Sequence, residues 1–234
     1  MIRVRQASPM HTVQDLGRFG FASQGVARSG PMDSIAACWA NTILNNSVNR
    51  PFIELGGGGF VAEFAIPVNF AITGAWGDFT LDGQPLIGPG CYPAHAGSVL
   101  KIGRLSSGLF TYLAVEGGFH IESVLGSVAT CQRDSLGGLT GTGATLTSGD
   151  ELRYKADRLR PLKLIPRRYL DSYVTPLVCD VIMRYSDNFD SIATDRFLNQ
   201  SYTVAKQQSR MGYRLDGQSG IESNRPRYSV PIPL

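Results

Sequence analysis

Short apolar segments separated by glycine-containing turns dominate the first two thirds of the chain. Ile2–Gln6 alternates apolar and polar positions, as in a half-buried or edge strand. Further strands rich in Val, Ile, Phe and Tyr are predicted at Phe60–Phe64, Asn69–Thr73, Phe79–Leu81, Val99–Ile102, Phe110–Val115 and Glu151–Tyr154. Antiparallel strands with turns at this spacing must hide their edges, so the pattern favours a closed or nearly closed β-barrel.

One clear helix is predicted after the glycine-rich stretch Thr12–Pro31. Its apolar residues recur four apart in two rows, Ile35, Trp39 and Ile43 beside Ala36, Ala40 and Leu44. Asp33 or Ser34 can cap it, because a short side-chain oxygen accepts from an unpaired N–H of the first turn. Asn45 and Asn46 supply its end.

The last third of the chain has a different pattern, which predicts a linker and a second domain. Residues 158–176 are basic, contain prolines and lack a sustained period. After them we expect strands at Leu177–Met183, Tyr202–Ala205 and Tyr213–Leu215, a short helix beginning near Asp187, and a strand-like tail, Tyr228–Leu234. The predicted organisation is one domain over residues 1–157, a linker over 158–176 and a second domain over 177–234.

Composition agrees with a folded, mainly β protein that has a few short helices. Of 234 residues, 43% are hydrophobic and 18% charged, and the mean hydropathy is −0.04. The net charge of +3 is too small for a nucleic-acid-binding footprint. The local excess of arginine at Arg153–Arg168 is interpreted as a solvated linker in preference to a phosphate-binding or nucleic-acid-binding patch.

The cysteines and the N-terminus predict a cytoplasmic protein. The four cysteines lie far apart without a CxxC pair, and the sequence begins without a secretory signal, so we expect free thiols. No apolar run approaches the roughly 20 residues of a membrane-spanning helix.

Several well-known catalytic motifs are absent. There is no phosphate-binding loop with Lys-Ser/Thr, no GxSxG motif, and the three histidines lack metal-ligand spacing. Gly56–Gly59 is interpreted as a tight bend between strands in preference to a phosphate cradle. Cys131 is interpreted as an unreactive thiol in preference to a nucleophile, because only Arg133 could lower its pKa.

The first candidate cluster comprises Gln14, Asp15, Arg18 and Asp33, within a stretch containing several glycines. A Gln side chain can pair with an amide, and an Arg can bind a carboxylate or phosphate bidentately. The cluster therefore suits a small substrate that carries an amide and a carboxylate. An equally weighted alternative is a structural network in which Asp15 neutralises Arg18.

The second candidate cluster comprises Arg210, Tyr213 and Arg214. Arg210 and Arg214 are predicted to lie on the same side of a strand, because a strand has a period of two. Two arginines on one face beside a tyrosine are unusual for a core, which makes them candidate binding residues, and a surface salt-bridge pair is the alternative.

These clusters lie in segments that resemble the carboxyltransferase A/B family, which includes the C subunit of 5-oxoprolinase and allophanate hydrolase subunit 2. The matching segments follow the same order over nearly the whole chain: Thr12-Val-Gln-Asp-Leu-Gly-Arg18, Gly25-Val26, Ser29-Gly-Pro-Met-Asp33, Ala40-Asn41, Ile53-Glu-Leu-Gly56, Ile72-Thr-Gly-Ala75, Tyr112-Leu-Ala-Val-Glu-Gly-Gly118, Leu125-Gly-Ser127, Gly137-Gly138, Ser148-Gly-Asp-Glu-Leu152, and Ser209-Arg-Met-Gly-Tyr-Arg-Leu215 with Gly217.

The resemblance implies two cyclophilin-like β-barrel subdomains and a partner, the companion B subunit, which is similar to allophanate hydrolase subunit 1. In the 5-oxoprolinase system these two proteins, with an ATPase as the A subunit, open 5-oxoproline to glutamate using ATP. In urea carboxylase, similar domains carry a carboxyl group from biotin to urea. The implied mechanism is orientation and electrostatic activation of an amide carbonyl. A catalytically inactive regulatory module is a third possibility.

The sequence also departs from the family pattern. Phe110 replaces an arginine, and Gly126-Ser-Val-Ala-Thr-Cys131 lacks the arginine and the aspartate of Gly-Ser-Arg-Ser-Thr-Asp. The family's later Thr-Thr-Gly-Gly-Tyr-Pro motif has no counterpart. We therefore expect an incomplete second barrel that needs a partner strand, oligomerises or is poorly stable alone.

Overall fold

The computed structural model describes residues 1–156, 158–170, 189–210 and 212–220. Within these ranges the chain is mainly β, with two α-helices and short 3-10 turns, which confirms the predicted fold class. The chain divides into two compact units, Met1–Thr175 and Pro176–Leu234.

The first unit is built on a ten-stranded sheet. Its strands pair in antiparallel fashion. They are β1 (Ile2–Gln6), β2 (His11–Gln14), β3 (Phe52–Gly56), β4 (Phe60–Phe64), β5 (Val68–Leu81), β6 (Gln84–Pro85), β7 (Gly90–Ala94), β8 (Val99–Val115), β9 (Glu151–Leu152) and β10 (Lys163–Leu164).

Two long strands, β5 and β8, form the centre of this sheet. They pair with each other along most of their length, and three register shifts between Gly74 and Phe79 bend the pair. At the bend a Cβ on Gly77 would lie 2.0 Å from the Arg104 carbonyl oxygen, so only glycine allows this close approach. The sequence predicted four shorter strands here because glycine and polar residues at the bend interrupt the apolar alternation.

One hydrophobic core collects side chains from β1 to β5 and from β7 to β9. Within it the rings of Phe64 and Phe70 stack with centroids 4.9 Å apart, and Phe70 stacks on Tyr92 at 5.8 Å. Because alternate residues of so many strands turn towards the same interior, the sheet is curved around it. This curvature agrees with the barrel that the turn pattern predicted.

The outer face of the sheet is covered by helix α1 (Ser34–Ile43), as the sequence predicted. Asp33 caps it, since its Oδ1 accepts from Ala36 N at 2.9 Å. The row Ala36, Ala40 and Leu44 is the buried face of the helix, whereas Ile35 of the other row is 57% exposed. The row packs against a second apolar cluster, which includes Phe52, Ala71, Cys91, Tyr112 and Ala114.

The first part of the predicted linker is held against the first unit. β10 pairs with β7, and the Asn69 side chain donates to the Arg158 carbonyl at 2.9 Å and accepts from Arg160 N at 2.9 Å. Glu116 forms an ion pair with Arg160. Composition alone indicated a solvated linker because Asn69 and Glu116 are distant in sequence.

The described part of the second unit contains one helix and one hairpin. The elements are α2 (Ser191–Asn199), β11 (Tyr202–Ser209) and β12 (Gly212–Gly217). Asp190 caps α2, since its Oδ1 accepts from Ala193 N at 2.7 Å. The predicted helix and both predicted strands of this hairpin are confirmed, whereas the predictions for Leu177–Met183 and Tyr228–Leu234 fall outside the described residues.

Candidate functional site

A row of polar side chains crosses the outer face of the first unit's sheet. The strand register places Thr12 opposite Glu54, Glu54 opposite Tyr112, and Tyr112 opposite Thr73. All four residues are buried. The Tyr112 hydroxyl donates to Glu54 Oε2 at 3.0 Å, and Thr73 Oγ1 donates to the Ala36 carbonyl at 2.7 Å. Buried polar groups need hydrogen-bond partners, so only a backbone segment that supplies these partners can pack over the row.

The same row holds the backbone that leads into α1. Met32 N donates to Glu54 Oε2 at 2.7 Å, and Asp33 N donates to Tyr112 Oη at 2.7 Å. Gly30 precedes these residues with a φ of +99°, a left-handed conformation that glycine tolerates. Glu54 and Tyr112 therefore fix an irregular segment of the candidate site. Sequence reasoning missed both residues as site components, although a polar residue within the apolar strand β3 was a usable signal.

Gln14 lies at the end of β2 and is fully buried. Its Nε2 donates to Thr12 Oγ1 at 3.0 Å and to the Thr130 carbonyl at 3.4 Å, and its Oε1 accepts from Gly30 N at 3.1 Å. Both ends of the side-chain amide thus bind protein groups. A substrate amide would have to displace one of these bonds to pair with Gln14.

The Asp15 carboxylate is 4% exposed and has three hydrogen-bond donors. Gly17 N donates at 2.8 Å, Ser127 Oγ at 2.6 Å and Val128 N at 2.9 Å. These bonds join the glycine-rich stretch after β2 to the segment around Ser127. Asp15 therefore has the surroundings of a buried structural carboxylate.

The Arg18 guanidinium is 2% exposed and binds backbone carbonyls. Its Nε donates to the Val124 carbonyl at 3.1 Å, and its Nη2 donates to the carbonyls of Ala129 at 2.7 Å and Ser127 at 3.5 Å. Among the described residues, its Nη1 is buried without a partner. The ion pairs in the described ranges do not join Asp15 to Arg18. The two side chains bind the same backbone stretch instead.

The second cluster lies in the hairpin of the second unit and is exposed. Arg210 occupies the turn after β11, whereas Tyr213 and Arg214 belong to β12. The prediction that both arginines share one face of a strand is therefore wrong, because the chain reverses direction at Arg210. The alternative of a surface salt bridge is seen for Arg214, whose Nε lies 3.7 Å from Asp216 Oδ1.

His11 is a buried imidazole at the start of β2. Its Nδ1 accepts from Ser8 N at 2.9 Å, so the proton is on Nε2, which lies 3.1 Å from the Gly58 carbonyl oxygen. Burial lowers the pKa of His11 because it disfavours the charged form. Gly57, Gly58 and Gly59 have positive φ angles between β3 and β4, which confirms the tight bend predicted there.

The described thiols are poorly placed for nucleophilic chemistry. Cys38, Cys91 and Cys131 are free, and burial raises the pKa of Cys91 to about 11 and also raises that of Cys38. Cys131 is 7% exposed. Within the described ranges, His, Cys, Asp and Glu do not form a group of three that could hold a metal ion. No described helix has the length and apolar character needed to cross a membrane.

Comparison with known proteins gives a family match over most of the chain. The carboxyltransferase domain family, subdomains A and B, matches residues 24–233. The C subunit of the 5-oxoprolinase from Haemophilus influenzae is 32% identical over 230 residues, which cover 97% of this chain and 71% of the relative. The urea amidolyase of Saccharomyces cerevisiae is 31% identical over 219 residues, 88% of this chain but 12% of that longer protein.

A solved structure shows the same fold. The urea carboxylase of Kluyveromyces lactis superimposes with a TM-score of 0.83 at 25% sequence identity. The match covers 96% of this chain and 21% of that enzyme. The similarity therefore concerns one portion of a larger enzyme.

Proposed function

We propose that this chain, which belongs to the family of carboxyltransferase domains, subdomains A and B, is one component of an ATP-dependent 5-oxoprolinase-type complex. Its role there is to bind and orient a small amide substrate, 5-oxoproline, for opening to glutamate. The observation that carries the proposal is the 32% identity to the C subunit of the Haemophilus influenzae 5-oxoprolinase over 97% of the chain. The proposed partners are the companion B subunit, which is similar to allophanate hydrolase subunit 1, and an ATPase as the A subunit, in the cytoplasm.

The described residues support a role in orientation and polarisation. The donors of the buried row bind groups of the protein itself and thereby hold one backbone path, as the orientation of a substrate requires. The exposed arginines of the second unit supply positive charge, which polarises a carbonyl. The raised pKa values of Cys38 and Cys91 disfavour thiolates as nucleophiles. We assign the ATP chemistry to the partner proteins, because this chain has no phosphate-binding loop motif.

We propose different roles for the two groups of site residues. Gln14, Asp15 and Asp33, with their bonds to backbone N–H groups, fix the irregular segment of the first unit. Arg210, Tyr213 and Arg214, which are exposed, contact the substrate or its activated form. Arginine suits this role because its planar fork matches carboxylate and phosphate oxygens.

The first test is co-purification of the chain with the companion B subunit, followed by a glutamate-release assay with 5-oxoproline, ATP and the ATPase partner. Complex formation with ATP-dependent glutamate release supports the proposal. Complex formation without glutamate release would favour a regulatory binding module. Failure to form a complex would contradict the proposed role as one component of an assembly.

A pair of variants locates the substrate contact. Arg210→Ala should leave the complex intact and lower glutamate release at least about tenfold, because a charge contact to the substrate is lost. Lys206→Ala removes another exposed cation of the same hairpin and is the control. If both variants release glutamate as fast as the unaltered chain does, Arg210 is not a substrate contact.

The second candidate function is a biotin-dependent carboxyltransferase module. The TM-score of 0.83 with the Kluyveromyces lactis urea carboxylase favours it. The test is transfer of labelled carboxylate from a carboxybiotin carrier to urea in the presence of this chain. Transfer without ATP-dependent glutamate release would replace the first proposal with this one.

A further inference from the structure

An aromatic cleft lies beside helix α1 on the first unit. Its volume is about 190 Å³, and its described walls include the side chains of Trp39, Trp76 and Tyr169. The rings of Trp39 and Tyr169 have centroids 5.4 Å apart, and Tyr169 is 46% exposed. Pockets for drug-sized ligands usually measure about 300 Å³ or more, so this cleft fits a single ring or one apolar side chain.

A second cleft adjoins the aromatic cleft along the helix. Its volume is about 280 Å³, and Ile35 and Trp39 line both clefts. These two residues are one helical turn apart and therefore form a ridge between the clefts, on which Ile35 is 57% exposed. A small ligand in one cleft would leave the ridge and the other cleft in water, whereas a protein segment with two apolar side chains would cover all three.

The charge beside the aromatic cleft is positive. Residues 158–170 contain five arginine or lysine residues and no acidic one, and the last two residues of this segment line the cleft. Glu116 pairs with Arg160, whereas the Arg168 guanidinium lies over the Tyr169 ring, 4.8 Å from its centroid. A complementary partner therefore carries carboxylates next to its apolar side chains.

We propose that the two clefts, with the ridge of Ile35 and Trp39, form a docking surface for an acidic segment of the companion B subunit, which inserts one apolar side chain into each cleft. Side chains that fill small pockets supply much of the binding energy of protein interfaces. The similar protein of Haemophilus influenzae is named as a subunit, which favours a protein over a free small molecule as the occupant. The identity of the partner rests on the proposed function.

The direct test uses the tryptophans, because both tryptophans of the chain line these clefts. The intact chain is labelled with 5-fluorotryptophan, the unlabelled companion B subunit is added, and the ¹⁹F signals are followed by NMR. We expect the signals of Trp39 and Trp76 both to shift on complex formation, because a partner side chain replaces water at each ring. A complex in which either signal stays unchanged would overturn the proposal.

Two isoleucines provide a matched pair of variants. Ile35 and Ile192 are each the second residue of a helix that an aspartate caps, in the same sequence Asp-Ser-Ile-Ala, and they are 57% and 67% exposed. Ile35→Glu places a carboxylate on the ridge and should weaken binding of the companion B subunit at least about tenfold. Ile192→Glu should change this affinity less than about twofold. Equal affinities for the two variants would overturn the proposal.

Two arginines test the charge of the partner segment. Arg168 and Arg28 are both exposed, and each lies over an aromatic ring, that of Tyr169 or that of Phe19. Arg168→Glu should weaken binding of the companion B subunit about fivefold at low salt, whereas Arg28→Glu should leave the affinity within about twofold of the original. A loss of affinity that is equal in the two variants would overturn the assignment of an acidic segment to this surface.

The outcomes separate this inference from the proposed function. A complex that is weakened by Ile35→Glu but releases no glutamate would support the docking surface and contradict the oxoprolinase function. Glutamate release by a complex whose affinity is unchanged in Ile35→Glu would support that function and overturn the docking surface. If Ile35→Glu instead alters the oligomeric state of the chain alone in sedimentation, a second copy of this chain occupies the clefts and the companion B subunit does not.

Discussion

The two arginine-containing clusters of this chain use the same residue types in opposite surroundings. In the first unit Asp15, Arg18 and Tyr112 are each less than 5% exposed. In the second unit Arg214 and Asp216 have side chains that are 69% and 64% exposed. The first set binds backbone groups, whereas in the second an arginine and an aspartate form a surface pair.

This difference separates the residues that build the site from those that can reach a ligand directly. Buried polar groups stabilise one backbone path, because leaving any of them unpaired is costly. Exposed ion pairs contribute little to stability, since water and salt screen them. Matched substitutions in the two clusters should therefore affect stability very differently.

The largest effect is expected at Asp15. Asp15→Asn replaces a carboxylate oxygen with an N–H₂ group facing backbone and hydroxyl donors, so the free energy of unfolding should fall by about 3 kcal/mol. Urea denaturation followed by fluorescence measures this change. Asp216→Asn in the exposed hairpin is the control and should change stability by less than about 0.5 kcal/mol. A similar loss of stability in the two variants would contradict the difference between the buried and the exposed cluster.

A smaller effect is expected from two tyrosines. Tyr112→Phe removes the hydroxyl that donates to Glu54 and accepts from Asp33 N, so stability should fall by about 2 kcal/mol. Hydrogen exchange of the Asp33 amide should also accelerate, because it loses its acceptor, whereas the Met32 amide keeps Glu54 as its acceptor and should change less. Tyr213→Phe, in the exposed β12, should alter neither measurement. Unchanged exchange in Tyr112→Phe would contradict the positioning role of the buried row.

His11 makes the stability of the first unit depend on pH. Burial lowers the pKa of His11 in the folded state. The neutral imidazole therefore contributes to folding stability above the unfolded-state pKa of about 6.5, and this stability is lost as the pH falls through the folded-state pKa. Protonation also disrupts the bond from Ser8 N, and the expected loss is about 1 kcal/mol. Urea unfolding between about pH 8 and pH 5 measures it.

Two variants isolate this titration. His11→Gln should flatten the pH dependence in that interval, whereas His120→Gln, which changes an exposed side chain, should retain it. If the free energy of unfolding of both variants still changes with pH as in the original chain, a group other than His11 is responsible for the pH dependence.

Local features of the fold could be predicted from sequence, but distant partners could not. The helix capped by Asp33 was predictable because its signals lie within ten neighbouring residues. The roles of Glu54 and Tyr112 were not, because strands remote in sequence bring them under Met32. Arg210 was placed on a strand because a sequence pattern does not reveal where a tight turn reverses the chain.

The smallest effect is expected at the exposed pair of Arg214 and Asp216. Arg214→Ala should lower the free energy of unfolding by about 0.3 kcal/mol, since an ion pair in water gains little. A double-mutant cycle with Asp216→Ala should give a similarly small coupling energy, which disappears as NaCl is raised from about 0.05 M to about 0.5 M. A coupling above about 1 kcal/mol that persists in salt would mean that the hairpin is buried against another surface in solution. In that case the contrast between an enclosed and an exposed cluster would fail, and the role of Arg214 would be structural.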